Sequence, residues 1–431
     1  MLRSMFAAVS GLRSHQAYMD VVGNNIANVN TTGYKGSTVL FQDLLSQTLR
    51  GAGAPQGTTT GGTNPAQVGL GVQLTGVQLN FAQGASQLTG RTTDFAIQGD
   101  GLFVVNQGGQ QGYTRAGSFS LDGFGNLVTP NGGFVLGWPA DVNGNINTNS
   151  AVGSLKIPVG QTIAPVATGN VKIGGNLPSD VAVGTKVNVS PTVFNTLGTA
   201  VPLRVEFTKV ADTAPAVGPP AVAGSVNWQM RTYDAAGNVL AGPTALTFDL
   251  VGARTSADPT LTQAQLNAVV GTSGTWPAGG IVLGMGGATA TDRLTGAAGL
   301  NTVGFLSQDG SAIGSLSSFS VGADGTIAGV FSNGRTQPLG QLAIAVFSNP
   351  NGLTKSGNSL YSSSVNSGQP QIGVPGSGGR GTLSGGTLEM SNVDLAQEFT
   401  NLIVAQRGFQ ANSKVITASD EILQDLVNMK R

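Results

Sequence analysis

Apolar positions at the two ends of the chain recur every seven residues. Near the start, Met5, Leu12, Met19 and Ile26 form one row, and Ala8, His15, Val22 and Val29 form a second with a polar break at His15. Residues 391–431 repeat the pattern: Leu395, Leu402, Phe409, Ile416 and Leu423 make one row. The row flanking it is weaker, with Ala405 and Leu426 apolar but Glu398, Asn412 and Ser419 polar. Such spacing keeps a row on one helix face and marks a coiled-coil seam. At 1.5 Å per residue the two helices would run about 40 and 57 Å. Ser391 with Asp394 reads as a capping box for the second. Nothing between the ends reads as a comparable helix, so the Leu395 row is expected to pack against the Met5 row.

Between the ends the period changes to two. In VPLRVEFTKV, Leu203, Val205 and Phe207 fall on one face and Arg204, Glu206 and Thr208 on the other, as in a half-buried strand. GVFSNGRTQPLG reads as a hairpin through Asn333-Gly334, and QLAIAVF (341–347) as a central strand apolar on both faces. Asp122-Gly123 and Asp324-Gly325 mark further turns. After the first helix, Phe41, Leu44, Leu45 and Leu49 suggest a short helix. GAGAPQGTTTGGTNPAQ (51–67) reads as an irregular connector, and VQLTGVQLNF (72–81) as a strand. Composition shifts near 155 and near 300, enclosing the linker-like APAVGPPAVAGS and one weak helical stretch, ADPTLTQAQLNAVV, with Asp258 and Pro259 as its cap.

The expected fold is mainly β with terminal α-helices, the N- and C-terminal helices forming a coiled coil. Two or more β-rich domains complete it, one inserted into another. The expected layout is an N-terminal helix and motif (1–35), a connector (36–71), an inner β domain in two parts (72–155 and 300–380), an inserted outer β domain (156–299) and a C-terminal helix (381–431).

Composition narrows the function. Only 10% of the 431 residues are charged, and Lys+Arg and Asp+Glu both number 21, for a net charge of zero. Such a chain has no electrostatic footprint for nucleic acid or an anionic membrane and little repulsion against its own copies. Cysteine is absent, which excludes disulfides and thiolate metal sites. No apolar run reaches the roughly 18 residues that span a bilayer, and MFAAVSGL, broken by Arg13 and His15, reads as a helix face rather than a secretory signal or membrane insert.

Catalytic chemistry lacks its parts. His15 is the single histidine and stands at a heptad position. No GxSxG elbow occurs, and QGDG (98–101) is not followed by the Lys and Ser/Thr of a phosphate loop. Acids in the β region mostly sit beside glycine in turns. The reading is therefore of no catalytic, cofactor or metal residues. A β-rich secreted enzyme or adhesin stays open as an alternative, to be supported by a cleft with converging acids.

NNIANVNTTGYK (24–35) places four asparagines where the first helix should end, although asparagine is a poor helix former. On a helix Asn24, Asn28 and Thr31 lie at i, i+4 and i+7 and can form a polar ladder, since each amide both donates and accepts. Gly33 can turn left-handed and end the helix, after which Tyr34 and Lys35 turn toward the connector. On chemistry alone, plain helix capping and turn filling is the better account.

This stretch, read with SNVDLAQEFTNLIVAQRGFQANSKVITASDEIL near the finish, resembles the flagellar rod, hook and hook-associated axial proteins. TTDFAIQGDGLFVV and YTRAGSFSLDGFGNLVTPNG are similar to the hook and distal-rod branch. SPTVFNTLGTAVPLRVEFTK and SNGRTQPLGQLAIAVFSNPNGL favour the hook members, whereas distal rod members are expected to be shorter and to lack the insert. The resemblance implies a subunit of a flexible tubular polymer, with an inner layer of terminal helices, exported without a cleaved signal and standing outside the cell on the flagellar basal body. It implies as partners the chain itself, a hook cap protein, a distal rod protein, a hook–filament junction protein and the flagellar type III export apparatus, with no cofactor. A distal rod or hook–filament junction protein is the close alternative. The candidate assembly residues are Met5, Leu12, Met19, Asn24, Asn25, Ile26, Asn28, Thr31, Gly33, Tyr34, Lys35, Leu395, Leu402, Arg407, Phe409, Asn412, Ile416 and Leu423. Gln406 and Gln410 join the polar set between the C-terminal heptad positions, which would meet neighbouring copies or line a central channel.

Overall fold

A computed structural model describes all residues except 1, 56–60, 159, 161, 216–223, 271–274, 287–292 and 430–431. Most of APAVGPPAVAGS, part of the connector 51–67 and the Leu426 side chain therefore lie outside the described residues. The chain is mainly β, with helices α1 (Leu2–Ala27), α2 (Gln263–Val270) and α3 (Leu395–Asn428). It forms two compact units: 1–158 with 319–329 and 338–431, and 159–318 with 330–337.

In the first unit the strand Leu102–Gln107 is central. It pairs antiparallel with Gln110–Thr114, Phe134–Pro139 and Ile344–Val346. Ala343 and Ala345, as QLAIAVF requires, are buried with Leu102, Val104, Tyr113 and Trp138. Phe103 meets Phe119 edge-on at 5.1 Å on the other face. The segment leading into α3 is woven into this unit: Thr382–Gly385 pairs with Phe95–Gln98, and Thr387–Glu389 with Ser86–Leu88.

The short helix expected at 41–49 is instead a two-stranded arm. Ser37–Asp43 pairs with Val72–Leu79, and Ser46–Arg50 with Ala66–Gly69. Thr38 and Val39 favour extended backbone, and the facing strand VQLTGVQL alternates, which outweighs the accidental i, i+3, i+4 spacing of leucines. The arm lies on α1, where the Phe41 ring is 6.1 Å from His15 and 5.8 Å from Tyr18.

The second unit centres on a four-stranded antiparallel sheet including Arg204–Lys209, Val226–Tyr233 and Val239–Phe248. Leu203, Val205 and Phe207 are buried with Trp228 and Trp276. The Asn333-Gly334 turn forms as expected, with the Phe331 N–H donating to Arg335 O (2.9 Å). α2 is capped by Thr262 rather than Asp258. Thr262 and Gln265 exchange backbone-to-side-chain bonds of 2.9 and 3.4 Å, a capping box, while Asp258 accepts from Arg254 and the Met285 N–H. α3 is likewise capped by Asp394, which accepts from the N–H groups of Ala396 and Gln397. Ser391 stays outside that helix and accepts from Val393 N–H, so no capping box forms there.

Acids at turns recur with a pattern wider than Asp-Gly. Asp122, Asp141 and Asp249 each accept the N–H groups two and four residues on, and the glycine three residues on is left-handed. The carboxylate thereby satisfies a whole tight loop, and this is where much of the small stock of acids is used.

Candidate functional site

The terminal segments meet at a buried ion cluster in the first unit. Glu389, at the end of its strand, holds Lys35 Nζ at 2.7 Å through Oε1 and Arg115 Nε at 2.5 Å through Oε2, and all three side chains are almost fully buried. Gly84 N–H also donates to Oε1 (2.8 Å). Lys35 reaches Ala82 O (2.8 Å), and Arg115 donates to the carbonyls of Ile97, Gly99 and Gly101. Burial alone would push the Glu389 carboxyl up, but the Arg115 and Lys35 charges and the Gly84 N–H outweigh it and hold it below the ordinary carboxylate range. Burial pulls the Lys35 ammonium down, and its bond to Glu389 only partly opposes this. Each charge keeps a partner, as a desolvated ion must. The cluster ties residues 35, 115 and 389 together, so both terminal helices leave from one fixed point.

The asparagines now separate by role. Asn28 Nδ2 donates to Asn24 Oδ1 (2.6 Å) and Thr31 Oγ1 donates to Asn28 Oδ1 (3.1 Å), so the three bond one another within the chain, with Asn28 and Thr31 in the turn beyond α1 and not on a helix face. Asn25, on the buried face, brackets Ser37: it accepts from Ser37 N–H (3.0 Å) and donates to Ser37 O (2.8 Å). Its Oδ1 also accepts the Tyr34 hydroxyl at 3.3 Å. Asn392 does the same from the other terminus, accepting Gly36 N–H (2.9 Å) and donating to the carbonyls of Asn80 and Ala82. Asn392 was missed in the sequence, as were Arg115 and Glu389. The signal available for Asn392 was an amide just ahead of a helix cap, and Glu389 was a lone acid in a weakly apolar strand.

α1 and α3 pack side by side and antiparallel, since a β-carbon at Gly11 would touch Asn412 (2.8 Å) and one at Gly408 would touch His15 (2.5 Å). The seam is centred on small residues. Ala8, Val22, Ala405 and Ser419 are buried, whereas Met5, Leu12, Met19, Ile26, Leu402, Ile416 and Leu423 are half-buried at its flanks and Leu395 and Phe409 are exposed. The expected meeting of the two leucine-type rows is thus displaced by one heptad row on each helix. Close approach at Gly11 and Gly408 favours the smaller row, because the larger side chains would hold the backbones apart. Gly408→Leu is expected to force His15 out of the seam at a cost of about 1–3 kcal/mol, measurable as earlier thermal loss of the helical far-UV signal.

The outer faces remain bare. On α3, Phe399, Ile403, Val404, Val415 and Ile422 are exposed, and on α1 Phe6 is 68% exposed. Of the candidate residues, Arg407 is exposed and bonds Gln410 (3.3 Å), and Asn412 turns into the seam. Among the described residues no group of three or more His, Asp or Glu gathers to hold a metal, and no helix is long and apolar enough to cross a membrane.

Three families match in turn: "Flagella basal body rod protein" at residues 5–35, "Flagellar hook protein FlgE/F/G D1 domain" at 96–175 and "Flagellar basal body rod FlgEFG protein C-terminal" at 384–429. The chain is similar over its whole length to the flagellar hook protein FlgE of Borreliella burgdorferi (39% identity, all of both chains) and of Treponema pallidum (38%, all of both). It is also similar to the flagellar basal-body rod protein FlgG of Bacillus subtilis, at 33% identity over all of both chains. That full-length match removes chain length as a criterion between hook and rod proteins. The crystal structure of Helicobacter pylori flagellar hook protein FlgE2 shares the fold, with a TM-score of 0.52 at 16% identity, over 71% of this chain and 99% of that one.

Proposed function

The chain belongs to the flagellar hook protein family, as a structural subunit of the extracellular hook, and from that premise we propose that α1 and α3 are the surfaces through which its copies build the tube. The observation that carries this is the bare outer face of α3. A helix exposing Phe399, Ile403, Val404, Val415 and Ile422 in water is ordinarily covered by a partner, and no described segment of this chain covers it. The ion cluster at Glu389 supplies the complementary need, a rigid root that passes load from helices to β unit. Repetition of one head-to-tail contact that does not close gives an open helical polymer. Of the candidate residues, Leu395, Arg407 and Phe409 are exposed and placed for contacts between copies, while Asn25, Gly33 and Lys35 act by holding the helix roots.

The cap protein, distal rod protein, hook–filament junction protein and type III export apparatus are proposed as further partners on family grounds. A place in the distal rod is the second reading, favoured by the likeness to the Bacillus subtilis rod protein. Cells lacking the gene separate the two: rods without hooks support the hook, and absent distal rods support the other. For assembly itself, purified full-length protein is expected to form tubes visible by electron microscopy, and a chain ending at 394 to remain monomeric with its β units folded. Tubes from the truncated chain would remove α3 from the mechanism.

A further inference from the structure

The outward stripes of α1 and α3 carry opposite charges at matched spacing. On α1 the stripe runs Phe6, Arg13, Asp20 and Ala27, and on α3 it runs Arg407, Lys414, Glu421 and Asn428; all eight are exposed. Each step is seven residues, about 10 Å of helix. Elsewhere many charges are consumed by tight loops or by pairs such as Lys186–Glu206 and Arg254–Asp258. Arg13, Asp20, Lys414 and Glu421 form no ion pair among the described residues.

The seam supplies a ruler. With Gly11 against Asn412 and His15 against Gly408, Arg13 stands level with position 410 and Asp20 with position 403. The two helices are antiparallel, so along α3 the order on α1 is acid then base, while on α3 it is base then acid. We propose, resting on the polymer reading above, that the outward stripe of α1 docks on the outward stripe of α3 in a second copy displaced along the helix axis by eleven residues, about 16 Å. That shift sets Asp20 opposite Lys414 and Arg13 opposite Glu421 at once, and Phe6 beside Val427 and Asn428. A shift shorter by seven residues gains Asp20 against Arg407 but sets Arg13 against Lys414, and one longer by seven sets Asp20 against Glu421. Each neighbouring register therefore carries a like-charge contact that the proposed one lacks.

The test uses full-length protein. Arg13→Glu and Glu421→Arg are each expected to raise the concentration needed for polymer, read by sedimentation, roughly three- to tenfold. The two together in one chain are expected to restore it, with helicity unchanged throughout because every site is exposed. The chain has no cysteine of its own. Arg13→Cys with Glu421→Cys is thus expected to give a ladder of linked copies with a short bismaleimide, and Arg13→Cys with Lys414→Cys only monomers. If wild-type polymer forms but the double reversal stays as poor as the singles, or the mismatched pair cross-links equally, the register is overturned while the polymer reading survives. If folded wild-type protein never polymerises, both fall.

Discussion

Glu389→Ala is expected to destabilise the first unit by about 3–5 kcal/mol, because it strands two buried cations. Lys35 and Arg115 share one carboxylate, and the carbonyls of Ala82, Ile97, Gly99 and Gly101 solvate them only as dipoles. Glu389→Gln keeps the shape and an acceptor oxygen, so its loss is expected to be smaller. Urea unfolding at neutral pH measures both, and a loss below about 1 kcal/mol for the alanine would show that water reaches the cations in place of the carboxylate. The same group sets an acid limit. Its folded pKa lies below its ordinary 4.5, so the stabilisation is fully present above that range and is lost as pH falls through the depressed value. Wild-type stability should therefore drop steeply on acidification, and that part of the drop should be missing in Glu389→Gln. Because 35 and 389 belong to opposite ends of the chain, the variant should also lose assembly before it loses its β sheets.

What the sequence disclosed divides by the range of the interaction. The strand at Arg204–Lys209, the Asn333-Gly334 turn and the two terminal helices are local matters of period and turn chemistry, and the pattern finds them, although α1 stops short at Ala27 and the apolar run 341–347 is broken at Ala343 into the ends of two strands, Thr336–Leu342 and Ile344–Val346. The Asn24–Asn28–Thr31 bonds are also local, but Asn28 and Thr31 make them from the turn beyond α1 and not from helical spacing. The seam was misplaced because heptad rows rank positions by apolarity, whereas Gly11 and Gly408 decide it by how closely backbones approach. The arm at 37–79 misled because four leucine-type residues fit a helix until the facing strand is seen. The ion cluster was invisible, since Glu389, Arg115 and Lys35 are joined by the fold over hundreds of residues and no spacing rule connects them.

Gly33→Val is expected to cost about 3 kcal/mol or more and to unseat the root of α1. The sequence suggested that this glycine ends the helix. α1 instead ends at Ala27, and the turn that follows is held by Asn28 N–H on the carbonyls of Asn24 and Asn25. Gly33 is left-handed, with φ of +66°, for another reason: its N–H donates to Glu389 O (2.7 Å), pressing it onto the Arg115–Ala116 backbone. A β-carbon there would lie 2.5 Å from Ala116 N, and backbone cannot step aside as a side-chain tip can. A β-branched residue adds the steric penalty of a left-handed backbone to that overlap. Displacing Gly33 moves Lys35 two residues on, so the loss spreads to the ion cluster and is expected to be less than additive with Glu389→Ala. Gly23 is the control. It stands on the open face of α1, where a β-carbon would meet nothing within 4 Å, and Gly23→Ala is expected to stabilise the helix by about 0.8–1 kcal/mol. Thermal unfolding of the two variants side by side decides the matter: equal and small effects at both positions would mean that the junction is pliable, and that the helices are not rooted in the β unit as the cluster requires.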